Sequence, residues 1–476
     1  MNNNLFKRFL TFFYGSGIGL IIGVLTTIIS TRLLSPEDFG RASMFTLAMN
    51  VFMIFIIFGT DQAFVRFYYE EEEKLRGRLL FNTMKIPLII LVVTLFFLMI
   101  IQDTFMIFLF EETNNFVFWI LLIGIIFQVI YRFAVLVIRM QQRGHVFSLL
   151  EILSKSINLV LIILLYLMMG SKYEILIYST VMTIILLSIL AIYLEKKFWV
   201  PSKNQSQDVK HSQSNIFHFS YPLVLTTLIT WLFQSFDKIA LRQWSDFEEL
   251  GLYAAAFRIV ALLLVVQSTF TTFWSPICYE HFEKQPEDKA FFARTSRIIS
   301  LVMFAVAIMT ILFKDVIVFL LGSEFREAAI IMPFLIFMPM MYTISETTVI
   351  GINFYKKTKW HILIAFAACV LNIVGNYVLV PSYGAAGAAV STGLSYVLFF
   401  IMRTHIALSY YKVDFSLKKV YLLIFCISLF ALQNMIWPHE VFTYSTGILL
   451  LFLVGLLYKA DIHCLIDIFK TKRMGV

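Results

Sequence analysis

The chain has 476 residues, 60% of them hydrophobic and only 14% charged, with 50 Phe and a formal net charge of +8. That composition lies far outside the range of soluble domains and excludes a fold whose main solvent is water. The basic residues collect in alternate connectors between apolar stretches, so the positive charge reports membrane orientation and not nucleic-acid binding.

A helix needs about 20 mostly apolar residues to cross the hydrocarbon core. In chain order the stretches that qualify are 10–32, 42–63, 82–102, 116–138, 147–169, 174–194, 217–241, 251–275, 295–313, 328–350, 360–380, 385–407, 418–436 and 441–459. The expected fold class is therefore an all-α polytopic membrane protein of about fourteen transmembrane helices. An even count puts both termini on one side, and the bias of Lys and Arg toward the side of Lys7 and Arg8 makes that side cytoplasmic. The expected location is a bacterial cytoplasmic membrane, crossed many times. With residues near a span end counted to the side they border, five cations, Lys85, Arg132, Lys155, Lys238 and Arg258, remain within the spans. The basic segments 196–210, 356–359 and 470–473 read as orientation signals that are also placed to touch anionic headgroups. The first apolar run is a full span without a small-residue cleavage site, so the first helix is expected to be retained. Cys278, Cys369, Cys426 and Cys464 are isolated, with no CxxC pair and no Cys/His cluster, which points to no disulfide, no metal and no cofactor.

The two halves of the chain superimpose as sequence. Pro36-Glu37-Asp38-Phe39-Gly40 parallels Glu248-Glu249-Leu250-Gly251-Leu252, and each opens a long apolar span. Ile157-Asn158-Leu159-Val160 matches Leu371-Asn372-Ile373-Val374, and Gly170 falls on Gly384. An even number of helices separates equivalent points, so the repeat is parallel, an arrangement in which transporters place the substrate path between the halves. The expected organisation is an N-lobe of six helices over 1–195, a cytoplasmic linker over 196–216, a C-lobe of six helices over 217–410, and an appended helix pair with a tail over 411–476. A path completed by two lobes of one chain makes a monomer the expected state.

The run LNIVGNYVLVPSYGAAGAAVSTGLSY at 371–396 resembles the signature of Wzx-type polysaccharide flippases, within the multidrug/oligosaccharidyl-lipid/polysaccharide exporter superfamily. Arg32-Leu33-Leu34 with Pro36-Glu37-Asp38-Phe39-Gly40 resembles that family's first outer loop, and the segment from Gly59 to Tyr68 resembles the end of its second helix. Phe236-Asp237-Lys238-Ile239-Ala240-Leu241, Gly251-Leu252-Tyr253 and Ala256-Phe257-Arg258-Ile259 resemble its seventh and eighth helices. Together these cover most of residues 10–410. The resemblance implies a flippase that moves an oligosaccharide on an undecaprenyl-pyrophosphate carrier from the cytoplasmic to the outer leaflet. Its partners would be that lipid-linked substrate, membrane lipids, and the polymerase and glycosyltransferases of cell-surface polysaccharide export.

Such a substrate needs cationic contacts in the membrane, where charges are rare and functional by default. Arg258 is the first candidate for the pyrophosphate or sugar, the alternatives being an ion pair with Asp237 or snorkelling to the outer interface. Lys238 and Lys155 are further substrate candidates; Lys155 stands at i+4 from Glu151, the favourable spacing for a structural pair. Asp237 is a candidate for a coupling proton or sodium ion, and also for a structural pair with Arg258 or Arg242. Glu346 has no cation at i±3 or i±4, which suits proton coupling or a hydrated site near the cytoplasmic face. Asp61 and Arg66 read as parts of an inner gate, with an interfacial anchor the plainer role for Arg66. Asn158, Asn372 and Asn376 read as interhelical hydrogen-bond partners, and the glycines at 375, 384, 387 and 393 as points of close helix approach. Six tryptophans, Trp119, Trp231, Trp244, Trp274, Trp360 and Trp437, mostly fall near span ends, as interfacial belts require.

A membrane-embedded glycan polymerase or glycosyltransferase is the competing class. The outer connectors are short, however, and the chain carries no nucleophile triad, P-loop or dinucleotide fingerprint, so a non-enzymatic transporter is the expectation. A peptidoglycan-precursor flippase or a drug/cation antiporter of the same superfamily are the alternatives within the transporter class.

Overall fold

The computed structural model describes the backbone of residues 3–199 and 209–463 and the side chains from Tyr14 onward, Ser16 excepted. The side chains of Lys7 and Arg8, the connector residues 201–207, Cys464 and the basic run 470–473 lie outside that description. Every described element is helical. Twelve helices among the described residues are long and apolar enough to cross a membrane, and Gly17–Leu33 adds a shorter apolar segment, so the chain is a multi-pass membrane protein.

The chain divides into two compact units, Met1–Trp231 and Leu232–Val476. Unit 1 contains α1 (Asn3–Leu33), α2 (Pro36–Ile57), α3 (Thr60–Phe67), α4 (Arg76–Ile100), α5 (Gln102–Phe110), α6 (Asn115–Met140), α7 (Gly144–Met169), α8 (Glu174–Leu194), α9 (Lys196–Trp199) and the first part of α10 (Gln213–Trp244). Unit 2 contains the rest of α10, then α11 (Phe247–Lys284), α12 (Lys289–Leu312), α13 (Lys314–Phe319), α14 (Ala328–Leu335), α15 (Phe337–Thr348), α16 (Ile350–Phe354), α17 (Lys359–Tyr410), α18 (Leu417–Ile436) and α19 (Glu440–Leu457).

Local chemistry explains where the helices begin. The Ser35 hydroxyl accepts the Asp38 N–H at 3.2 Å, Pro36 occupies the first helical turn, and Glu37 and Asp38 complement the helix dipole. At α11, the Asp246 carboxylate accepts the Glu249 N–H at 2.9 Å, with Glu248 and Glu249 in the first turn. The two connectors aligned around Gly40 and Gly251 therefore start their helices in the same way.

Two breaks shape the bundle. Phe58 (φ 52°) and Gly59 (φ 70°) are left-handed and separate α2 from α3. The second break lies within α17, whose 52 residues would run about 78 Å at 1.5 Å each, more than twice the hydrocarbon thickness. Gly384, at φ 50° and ψ −132°, departs from helical geometry inside it, and the expected spans 360–380 and 385–407 fall on either side. The two spans are thus joined through a single non-helical residue. Glu249 Oε2 accepts the Ala385 N–H at 2.8 Å and so caps the helix that restarts there.

In unit 1, α1 pairs with α7, while α6 packs on both α8 and α2. Phe39, Phe45, Phe64, Phe118 and Phe133 fill its interior. The apolar window of α7 is only 6% buried, and α4 exposes Ile89, Val92 and Phe96, as surfaces solvated by lipid do. In unit 2 the window of Ala328–Thr348 is 89% buried, so α14 and α15 form the centre, surrounded by α11, α12 and α17. The appended pair packs here as well, α18 on α14 and α19 on α12.

Candidate functional site

Asp237 is the most enclosed of the candidate charges, 1% exposed on α10. Four neutral side chains from three helical segments hold it. Tyr253 of α11 donates to Oδ2 at 2.7 Å, and Thr392, from α17 beyond the Gly384 break, donates to the same oxygen at 2.8 Å. Asn372 and Asn376, one turn apart before that break, donate to Oδ1 at 3.0 and 2.7 Å. The break is what allows the two stretches of α17 to lie side by side. A Cβ on Gly375 would stand 2.4 Å from Ser391 Oγ, and one on Gly393 would stand 2.9 Å from the Phe334 carbonyl oxygen. The glycines expected to permit close approach do so here.

This shell answers one alternative left open by the sequence, because the Asp237 carboxylate is surrounded by hydroxyl and amide donors and not by a guanidinium. Asn372 and Asn376 are interhelical hydrogen-bond partners as expected, and Asp237 is what they share. Their Oδ1 atoms are buried and accept no hydrogen bond from any described residue. Turning either amide about its Cβ–Cγ bond would present an oxygen to the carboxylate in place of a donor. A monovalent cation or a proton arriving at Asp237 would then complete the set, so these residues fit a small cation.

Next along α10, Lys238 is half-buried, with its ammonium 5.9 Å from the centre of the Phe257 ring, and it lies within electrostatic range of Arg258 on α11. Two cations within the spans, on helices consecutive in the chain, thus act on each other electrostatically. A membrane interior tolerates such a pair where an anion or water can reach it. Glu346 has acquired a partner from far along the chain: Arg403 donates to its Oε1 at 2.8 Å and to Ser345 Oγ at 2.7 Å. The solitary acid of the sequence is an ion pair in the structure, with its side chain 10% exposed.

In unit 1, Asp61 and Arg66 are separated. Arg66 pairs with Glu70 on its own helical turn. Asp61 instead takes Arg132 of α6, whose Nη2 and Nε stand 2.5 and 3.1 Å from Oδ2. The carboxylate is 8% exposed and the guanidinium 42%, so the pair presents a cation on a buried anion. Gln128, one turn before Arg132, donates to Asn50 at 3.3 Å and extends the polar strip. Lys155 is exposed, beside Gly19, and Glu151 lies within electrostatic range of Tyr131. Asn158 donates to Ser179 at 3.4 Å. Sequence reasoning did not promote Arg132 or Arg403, although an in-span cation was the signal for the first. Among the tryptophans, Trp119 and Trp437 are exposed, but Trp274 is buried and donates to the Glu346 carbonyl at 3.2 Å, so it belongs to the core and not to an interfacial belt.

Residues 5–282 match the family described as polysaccharide biosynthesis protein, and residues 222–378 match the family described as MatE. No curated protein matches the chain. Among solved structures, a lipid II flippase MurJ in an inward closed conformation has a TM-score of 0.69 at 14% identity, covering 95% of this chain and 100% of that one. A multidrug resistance MATE family transporter of the MOP superfamily, inward-facing, has a TM-score of 0.62 at 13% identity, covering 83% of this chain and 96% of that one. Its outward-facing counterpart gives 0.60 at 14% identity, with 84% and 94% covered. At these identities the likeness to solved structures is one of fold, and Asp237 lies within the residues that match the MatE family. With the longer family match spanning more than half of its residues, the chain belongs to the polysaccharide biosynthesis protein family and has the fold of the MOP-superfamily transporters and flippases.

Proposed function

We propose that the protein moves an undecaprenyl-pyrophosphate-linked oligosaccharide from the cytoplasmic to the outer leaflet of a bacterial cytoplasmic membrane, by exposing its binding site alternately to the two sides. The observation that carries this reading is the presence of two cations, Lys238 on α10 and Arg258 on α11, inside the spans of unit 2 and within electrostatic range of each other. A pyrophosphate and a sugar chain lose water on entering hydrocarbon and need replacement partners. Two adjacent cations, one of them a guanidinium that holds its charge, supply those partners for the phosphates. The shell around Asp237, the residue before Lys238, supports a coupling role: a cation or proton bound there changes the charge beside the phosphate site. The termini lie on the cytoplasmic side in this reading, and the chain works as a monomer, fed by glycosyltransferases and drained by a polymerase.

Transbilayer movement of a fluorescent undecaprenyl-pyrophosphate oligosaccharide in liposomes containing the purified chain tests the proposal, with and without imposed proton or sodium gradients. Specific movement that a gradient accelerates is the expected result. Glycan chemistry without movement would turn the case to a membrane enzyme. A peptidoglycan precursor has the same carrier and phosphates, so it serves as the competing substrate in the same assay.

A further inference from the structure

A cavity of about 550 Å³ opens at the end of unit 1 where α3 passes into α4, α6 turns into α7, and α8 runs into α9. Arg76, Arg143, Lys196 and Lys197 line it, against Glu73 and Glu195. These charges are not equivalent. Glu195 is 4% exposed and is consumed internally, accepting from Arg143 and from Gln141. Arg76 is fixed: its Nε donates to the Tyr68 carbonyl at 3.1 Å, and its guanidinium lies 4.5 and 5.5 Å from the centres of the Tyr68 and Tyr69 rings. Tyr69 is held in turn by donating to the Met140 carbonyl at 2.6 Å. Burial raises the Tyr68 hydroxyl above its ordinary range, outweighing the nearby guanidinium, so the aromatic wall adds no negative charge. Lys196 and Lys197 are both exposed at the rim, leaving a net positive cavity with a rigid arginine at its wall.

Its position narrows the ligand. The three connectors that form it belong to the basic side of the membrane, and Tyr193, Leu194 and Tyr69 beside it are exposed. Aromatic and apolar side chains next to a cationic hollow at a span end suit a molecule with a charged head and an apolar remainder. We propose that this cavity binds a phosphate ester, with the phosphodiester of an anionic membrane lipid as the form that its membrane-edge position favours. The site is separate from Lys238 and Arg258 and does not depend on what the protein transports.

Native mass spectrometry of the full-length purified chain, titrated with phosphatidylglycerol, phosphatidylethanolamine or soluble glycerol 3-phosphate, provides the test. The expected result is preferential retention of phosphatidylglycerol over phosphatidylethanolamine, weakened roughly 30-fold in Lys196→Gln/Lys197→Gln, about 5-fold for each lysine. Both lysines are exposed, so the variant keeps its fold, and Lys412→Gln/Lys418→Gln, at exposed lysines outside the three basic segments, serves as a control that leaves retention unchanged. Displacement of the lipid by glycerol 3-phosphate at equal concentration would assign the same site to a soluble phosphate ester. Equal retention of the two lipids by the natural chain, or an equal loss in the control variant, would overturn the proposal.

Discussion

At the scale of single residues, the charges divide into those satisfied within the protein and those placed to meet something else. Asp237 is satisfied by four neutral donors, yet its surrounding amides retain two buried oxygens that no described residue donates to. Asp237→Asn keeps the shape and leaves an oxygen for Tyr253 and Thr392, so membrane abundance should stay normal while acceleration by an imposed gradient disappears. Gradient-dependent flipping in that variant would remove Asp237 from the coupling role. Arg258→Ala should abolish substrate movement at normal abundance, whereas loss of abundance in step with activity would mark a structural residue. The pair in unit 1 behaves differently. Removing Arg132 leaves a nearly buried carboxylate without its main partner, and with the guanidinium itself 42% exposed the cost should be about 1–3 kcal/mol, below that of a fully buried pair. Thermal unfolding of Arg132→Ala, Asp61→Asn and the double variant in detergent measures it: the double variant should be more stable than Arg132→Ala alone, because the stranded charge is gone.

At the scale of elements, α17 carries the argument. The Asp237 shell requires Asn372, Asn376 and Thr392 around one carboxylate, and a straight helix of 52 residues could not bring 392 back beside 372. Gly384 makes the return possible with φ at 50°, where a side chain is strained, and a Cβ there would stand 2.7 Å from Glu249 Oε2. Gly384→Ala should therefore cost about 1–3 kcal/mol from the backbone alone, and further by displacing the carboxylate that caps Ala385. Gly17→Ala, with nothing within 4 Å of the new Cβ and helical backbone around it, is the matched control and should be neutral or slightly stabilising. Equal melting temperatures for the two variants would contradict this account of the break.

At the scale of the whole molecule, the sequence made the spans legible because apolar length is a strong local signal: α7 and α8 end and begin at Met169 and Glu174, as the expected spans do. The polar centres were legible only as components. Asp237, Asn372 and Asn376 each stood out, but their partnership joins positions 135 and 139 residues apart, beyond any i,i+4 pattern. The same distance hid the Glu346–Arg403 and Asp61–Arg132 pairs, which form between helices that contact each other only in the folded bundle. The orientation of the bundle is a third kind of property, carried by no contact at all. It follows from the cost of moving cationic connectors across the membrane during insertion. If that bias sets the topology, a membrane-impermeant thiol reagent applied to intact cells should label Glu112→Cys and Pro438→Cys, in connectors poor in Lys and Arg. It should leave Gln142→Cys and Lys356→Cys unlabelled until the membrane is opened. Cys278 and Cys369 are buried, and Cys426→Ser with Cys464→Ser removes the two remaining thiols from the background. Labelling of Lys356→Cys from outside would reverse the orientation, place the cavity of Arg76 and Lys197 on the outer face, and turn the proposed direction of flipping around with it.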